Sequence, residues 1–135
     1  MAIRVHHKDE ASVLLPMIAR DARLVVWPGV GAITANLNYV MMEPGEENVP
    51  HRHPTSEDTI VVFAGEGTIA NLDAGTTHRF GGGQVVHVPV GVRHQVRADR
   101  GSSIESVGGP CPADLEGLRR AGVLGDEPLS GEASA

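Results

Sequence analysis

An all-β barrel or sandwich of about nine or ten short strands, closed by one short C-terminal helix, is the fold class this sequence predicts, and three observations predict it. Short apolar segments rich in valine and isoleucine alternate with turn signals along most of the 135 residues. Glycine and proline, 17 and 9 residues, make up about a fifth of the chain against an average near an eighth, which multiplies turns and leaves few long helices. Aromatic residues are scarce, with Trp27, Tyr39, Phe63 and Phe80 the whole set, so the core falls to aliphatic side chains. Valine suits the half-buried face of a pleated sheet.

Taken in order, Ile3 to Val5 and Ser12 to Leu15 read as strand or irregular edge structure, and Arg23 to Trp27 as a strand ending at a Pro28-Gly29 turn. Ile33 to Met42 reads as one long strand. Its faces are Asn36, Asn38, Val40 and Met42 against Leu37, Tyr39 and Met41, so one side carries polar groups toward a pocket. After the Pro44-Gly45-Glu46-Glu47 loop, a strand begins near Val49. Thr59 to Ala64 and Gly67 to Leu72 flank a Gly65-Glu66-Gly67 turn and read as a hairpin. Asp73 to Thr77 is a turn, His78 to Phe80 a short strand, and Gly81-Gly82-Gly83 a hinge before the strand Gln84 to Val88. Gly91 to His94 turns into a strand running through Val96, and Ser103 to Val107 is the last strand, broken by Gly108-Gly109-Pro110. Pro112 to Val123 reads as a helix: Asp114 and Glu116 sit near its positive end, Arg119 and Arg120 near its negative end, and Leu115, Leu118 and Val123 form the apolar stripe. Residues 126–135 have no core-forming content and are expected to be disordered. No internal repeat is visible, so one barrel is expected.

The chemistry is concentrated in His51-Arg52-His53, with Glu57 and Asp58 just beyond and His94 later in the chain. Histidines separated by one residue on an extended strand point to the same side, so two imidazoles can share one ion. Neutral imidazole and carboxylate together suit iron, manganese, nickel, copper or zinc better than calcium or magnesium. The surrounding punctuation sharpens this reading. Five residues separate Gly45 from His51, and six separate Asp58 from Gly65. A second block runs Gly83, five residues, Pro89, one residue, Gly91, two residues, His94.

These two blocks, spanning roughly residues 37 to 98, resemble the paired motifs of the cupin superfamily. The resemblance implies a double-stranded β-helix, a jelly-roll barrel whose first motif gives two histidines and a carboxylate and whose second gives a third histidine. It implies His51, His53, Asp58 and His94 as ligands of one divalent transition metal, iron, manganese, nickel or zinc. The chain departs from the family pattern at Ala98, where an asparagine usually stands, and at Asp58, where the family mostly has glutamate. Aspartate is one methylene shorter and must bring its strand closer. A shift of one residue in register would present Glu57 instead, since such a shift turns every side chain to the other face. By resemblance the organisation is N-terminal strands over 1–28, open to exchange at a dimer interface, a barrel over 29–110, a helix over 111–125 and a tail over 126–135.

Charge and composition narrow the partners. The net charge is −6 with histidine neutral, and no concentrated positive patch is visible, which argues against nucleic acid and anionic membranes. No stretch approaches the roughly twenty apolar residues of a membrane span, and the polar residues from Met1 to Glu10 are not expected to act as a signal peptide. The single cysteine, Cys111, forms no intramolecular disulfide, and a cytoplasmic location is expected. A small-molecule substrate and, by resemblance, a homodimer are the expected partners.

Four residues outside the ligand set are candidates for catalysis or substrate contact. His87 could line the pocket as a general base, Arg93 beside His94 could reach a substrate carboxylate, and Tyr39 and Asn36 could contact substrate. For each there is a plainer role in packing or on the surface. His6, His7 and His78 are expected to be solvated, and Cys111 has no identifiable neighbour to activate it. Four ligand positions leave one or two open on a five- or six-coordinate ion, the mark of a catalytic site. The resemblance then implies a metal-dependent enzyme acting on a small oxygenated molecule, with a dioxygenase or other oxidoreductase first. A redox-neutral isomerase or lyase using the metal as Lewis acid is the alternative, and a non-catalytic metal- or ligand-binding barrel the third. The dearth of aromatic residues favours a compact polar or aliphatic substrate.

Overall fold

Strand after strand buries every second residue, as the period of two demands: Ala22 and Leu24, Asp58 and Val62, Gly67 and Ile69, then His94, Val96 and Ala98. The computed structural model describes residues 2–129. Among them are nine strands: β1 (Val13–Leu14), β2 (Asp21–Val26), β3 (Leu37–Met42), β4 (Glu57–Ala64), β5 (Glu66–Asn71), β6 (Thr76–Gly81), β7 (Val85–Val88), β8 (His94–Ala98) and β9 (Ile104–Cys111). They form a six-stranded sheet in the order β1-β2-β3-β9-β4-β7 and a three-stranded sheet in the order β6-β5-β8, all pairs antiparallel. Leu24, Met42, Val62 and Ile104 from the larger sheet meet Ile69, Phe80, Val96 and Ala98 from the smaller in one core. This is the expected all-β double-stranded β-helix. No helix among the described residues is long and apolar enough to cross a membrane.

Several elements differ from expectation, each for a tertiary reason. The expected hairpin around Gly65-Glu66-Gly67 is a corner: β4 belongs to the larger sheet and β5 to the smaller, and the two do not pair. Gly65 adopts φ +95°, and a Cβ there would lie 1.9 Å from the carbonyl oxygen of Ser103, so the chain crosses directly over the segment that leads into β9. The backbone amide of Glu66 donates to Ser102 Oγ at 2.9 Å and ties the corner down. β3 begins only at Leu37, four residues later than expected. Its neighbour β2 stops at Val26 before Pro28, and Ile33 is 84% exposed. On the other flank the register places Pro110, which has no amide to donate, near Asn36.

β9, in contrast, runs through Gly108-Gly109-Pro110 to Cys111 instead of breaking there. These residues pair with Ile60, Thr59, Asp58 and Glu57 of β4. The strands approach so closely that a Cβ on Gly108 would stand 1.9 Å from the carbonyl oxygen of Thr59. The expected turn after Asp73 closes a hairpin of β5 and β6 between Asn71 and Thr76, with Asn71 Oδ1 accepting from the amides of Asp73 and Ala74 at 3.2 and 3.0 Å.

The C-terminal helix is shorter than Pro112 to Val123. The helix α1 spans Leu115–Arg120, begins behind Asp114, whose carboxylate caps the amide of Gly117 at 2.9 Å, and ends near Gly122. Leu115, Leu118 and Val123 pack against the core as expected, and so does Leu129, which lies in the stretch expected to be a disordered tail. Residues 130–135 of that tail lie outside the described residues.

At the other terminus Ile3 and Val5 are 97% and 94% exposed and form no strand. The following turn covers the outer face of β3. Lys8 Nζ sits 4.7 Å from the centre of the Tyr39 ring, and Arg23 joins Asp9 and Asp21 at 2.9 Å each. Tyr39 is buried there, its hydroxyl donating to Glu105 Oε2 at 2.6 Å.

Two consequences can be measured. Replacing Gly65 by Ala forces a Cβ into the backbone of the crossing segment and should lower stability by about 2 to 4 kcal/mol in urea denaturation; an unchanged midpoint would contradict the corner geometry. The hydrogen bond to the Glu105 carboxylate, and then burial, push the Tyr39 hydroxyl up from 10.0 to about 12. The stabilisation from the neutral phenol is therefore complete below pH 10 and is lost as pH rises through about 12. Tyr39 is the sole tyrosine. Its absorbance titration near 295 nm should have a midpoint near 12 that falls toward 10 in Glu105→Gln.

Candidate metal centre

Backbone pairing brings the histidines together before any ion is considered. His51 and His94 exchange hydrogen bonds, the amide of His51 donating to the carbonyl of His94 at 3.1 Å and the reverse bond measuring 2.9 Å. This is an isolated bridge and not the continuous strand pair expected, because Pro50 and Pro54 flank the segment and cannot donate to a ladder. The segment is still extended. His53 falls on the same side as His51, and its carbonyl accepts from the amide of Gly91 at 3.0 Å, within the second motif. The ring centres of His51 lie 4.8 Å from His53 and 4.4 Å from His94.

Asp58 enters from the opposite wall. It lies on the inward face of β4, is 6% exposed, and is fixed in register by Val88 of β7 and Pro110 of β9. Its Oδ2 stands 3.6 Å from the Nε2 atoms of both His53 and His94. One ligand atom from each of His51, His53, Asp58 and His94 lies within 4.8 Å of the others. Glu57, the alternative carboxylate, is turned out to solvent, where it meets His87 Nε2 at 2.8 Å.

Each imidazole is oriented by its other nitrogen. Nδ1 of His51 bonds to the carbonyl of Val49 at 2.8 Å, Nδ1 of His94 to the carbonyl of Val92 at 2.9 Å, and Nδ1 of His53 to Asp114 Oδ2 at 2.8 Å. A carbonyl or carboxylate partner can only accept, so Nδ1 carries a hydrogen and Nε2 is the nitrogen turned toward the shared centre, where an ion would displace any second proton. Two buried atoms at that centre, His53 Nε2 and Asp58 Oδ1, have no hydrogen-bond partner. Three nitrogen donors, one carboxylate oxygen and two unsatisfied buried atoms fit a divalent first-row transition metal.

The electrostatics point the same way. Burial opposes ionisation of Asp58, yet the imidazoles of His53 and His94 close beside it hold its carboxyl well below the usual carboxylate range. Burial also opposes a proton on His53, but Asp114 and Asp58 outweigh it and raise the imidazole to about 9. Burial lowers His51, with the neighbouring imidazoles adding to the effect. His53 faces a carboxylate on each side, a position that draws a cation to Nε2.

The four candidate ligands open on a cavity of about 330 Å³ whose wall is chiefly aliphatic, including Leu24, Val40, Met42, Ile60, Val96 and Ile104. Asn36 and Asn38 line it, as their placement on one strand face suggested, and both Oδ1 atoms are buried without partners. Of the catalytic candidates, Tyr39 points to the opposite side of β3, His87 is on the outer face of β7, and Arg93 is exposed, its backbone amide bonded to Asp73 at 3.0 Å. None of the three lines this cavity. His6, His7 and His78 are exposed as expected, and the exposed Cys111 thiol donates to the carbonyl of Thr34 at 3.2 Å. The Asp114 contact was not foreseen; an acid at a helix start gives no sign of a histidine 61 residues away.

The sequence profile of the cupin domain matches residues 38–104. Germin-like protein 3-3 of rice (Oryza sativa subsp. japonica) is 34% identical over 74 residues, which cover 50% of this chain and 33% of that protein. The chain thus spans about a third of the length of that relative. Among solved structures, the polyketide cyclase RemF from Streptomyces resistomycificus superposes with a TM-score of 0.67 at 22% identity, over 83% of this chain and 80% of that one. An RmlC-like cupin family protein with a double-stranded β-helix fold from Methanocaldococcus jannaschii superposes with a TM-score of 0.64 at 19% identity, over 88% and 98% of the two chains.

Elemental analysis of untagged protein purified without chelator should find about one equivalent of a first-row metal. The metal should be lost in His51→Ala and Asp58→Ala and kept in Glu57→Ala, whose side chain faces away. Loss in the Glu57 variant with retention in the Asp58 variant would reverse the assignment.

Proposed function

The chain belongs to the cupin superfamily, and from that premise we propose that it is a metal-dependent enzyme acting on a small, largely aliphatic oxygenated molecule, an oxidoreductase of the dioxygenase type. The ion would be held by Nε2 of His51, His53 and His94 and by the Asp58 carboxylate. Bound there, it would supply a site for oxygen chemistry or Lewis acidity toward a substrate oxygen. The aliphatic wall encloses the body of the substrate and excludes water, which strengthens every polar contact inside. Asn36 and Asn38 offer amide oxygens without partners to a hydroxyl or N–H of that substrate, and they orient it by hydrogen bonding.

One observation favours oxygen chemistry over isomerisation or elimination. A redox-neutral isomerase or lyase has to move a proton, and a positioned side chain normally does so. Among the described residues lining the cavity, the ionisable groups other than the four ligands are Arg52, Asp114 and Arg120. Arginine stays protonated. Asp114 has both oxygens engaged, one by His53 and one by the amide of Gly117. Tyr39 and His87, which could have served, face elsewhere. A reaction whose bond changes occur at the metal needs no such carrier.

An oxygen electrode tests this reading. Protein loaded anaerobically with Fe(II) should consume oxygen in step with the loss of one member of a panel of medium-chain aliphatic hydroxy and oxo compounds, and His51→Ala should not. Oxygen-independent turnover with zinc or nickel would establish the isomerase or lyase reading in its place. Tight binding of a panel member without turnover under any of these metals would leave a ligand-binding cupin.

A further inference from the structure

The carboxylate of Asp114 makes two contacts that belong to different parts of the molecule. Its Oδ2 accepts from Nδ1 of His53 at 2.8 Å, with the two side chains only 12% and 13% exposed. Its Oδ1 accepts from the amide of Gly117 at 2.9 Å and so caps α1. The capped helix is not remote from the site. Gly117 and Leu118 of α1 and Ala121 just beyond it line the same cavity as the metal ligands, and Leu115 and Leu118 pack on the core beneath. A second tie holds the approach to the helix, Ser56 Oγ donating to the carbonyl of Pro112 at 2.6 Å. The helix is six residues long, well short of the length at which a helix persists without tertiary support.

We infer that Asp114 is a positioning residue that makes one unit of the ligand His53 and the helix roofing the cavity, so that loading the metal orders the roof and the roof in turn tightens the metal. The reasoning rests on the metal-centre reading above. A carboxylate on Nδ1–H fixes the imidazole plane and raises the basicity of Nε2, and such outer partners typically carry a factor of about 10 to 100 in metal affinity. Because His53 and the amide of Gly117 share one carboxylate, whatever holds His53 still also holds the cap still. Coupling between two equilibria is reciprocal, so each must favour the other.

Two variants separate this role from simple helix capping. Asp114→Ser keeps a good capping oxygen but is too short to reach His53, whereas Asp114→Asn keeps an oxygen in reach and loses the charge. Affinity for Zn(II), measured by chelator competition without substrate, should fall about 10- to 100-fold in the serine variant and by less in the asparagine variant. Hydrogen exchange at the amides of Gly117, Leu118 and Ala121 should slow on adding Zn(II) to the parent, and this response should vanish in Asp114→Ser. A serine variant that binds zinc as tightly as the parent, or parent amides that ignore zinc, would overturn the coupling while leaving the metal centre intact. A parent that fails to bind any first-row metal would overturn both. Since neither readout involves turnover, failure of the proposed oxygen chemistry would register only in the oxygen electrode.

Discussion

A single buried carboxylate, that of Asp58, sets the terms for the rest of this molecule. A lone charge in an aliphatic interior is unfavourable by several kcal/mol, and only compensating groups at close range make the position tenable. The larger sheet carries the charge inward on β4; the smaller sheet answers with His94 on β8 and with His51 and His53 on the segment bridged to it. The two walls of the barrel are therefore matched in charge as well as in apolar surface. A divalent ion would complete the match: His53 Nε2 and Asp58 Oδ1 are both buried there with no hydrogen-bond partner.

Much of this could be read in the chain before its fold was seen. The ligands were legible because they sit in two short blocks punctuated by glycine and proline, whose turn chemistry is local. The choice of Asp58 over Glu57 was only half legible. Spacing favoured it, but the decision lies in β4 being held between β7 and β9, which locks the face that residue 58 presents. Strand positions followed the alternation of apolar residues, whereas strand partners did not. Gly65-Glu66-Gly67 has the composition of a hairpin turn, and nothing local distinguishes that from a corner joining two sheets. Likewise Gly108-Gly109-Pro110 has the composition of a break, and only the close approach of β4 shows why glycine is wanted inside a strand. The third imidazole's carboxylate partner, Asp114, depends on where a short helix docks, and no pattern in the sequence encodes that.

The residues that chemistry singled out but the fold turned outward have work of a different kind. Tyr39 closes the outer face of β3 beneath Lys8 and bonds across to Glu105 of β9. His87 and Glu57 form an exposed cross-strand pair on β7 and β4, worth little in water. Function gathers on the inward face, where Asn36 and Asn38 bring polar atoms into an otherwise aliphatic cavity.

The place of β9 in the larger sheet bears on how the protein is made. Four of the sheet's strands precede Gly65 in the chain, yet β3 and β4 do not pair; β9, some forty residues beyond that glycine, lies between them. A nascent chain leaving the ribosome thus carries an incomplete sheet, with the edges of β3 and β4 bare, until residue 111 has emerged. All four candidate ligands are synthesised before that moment, but the wall that holds Asp58 is not built. Assembly of the centre is consequently a late event, set by the arrival of the last strand.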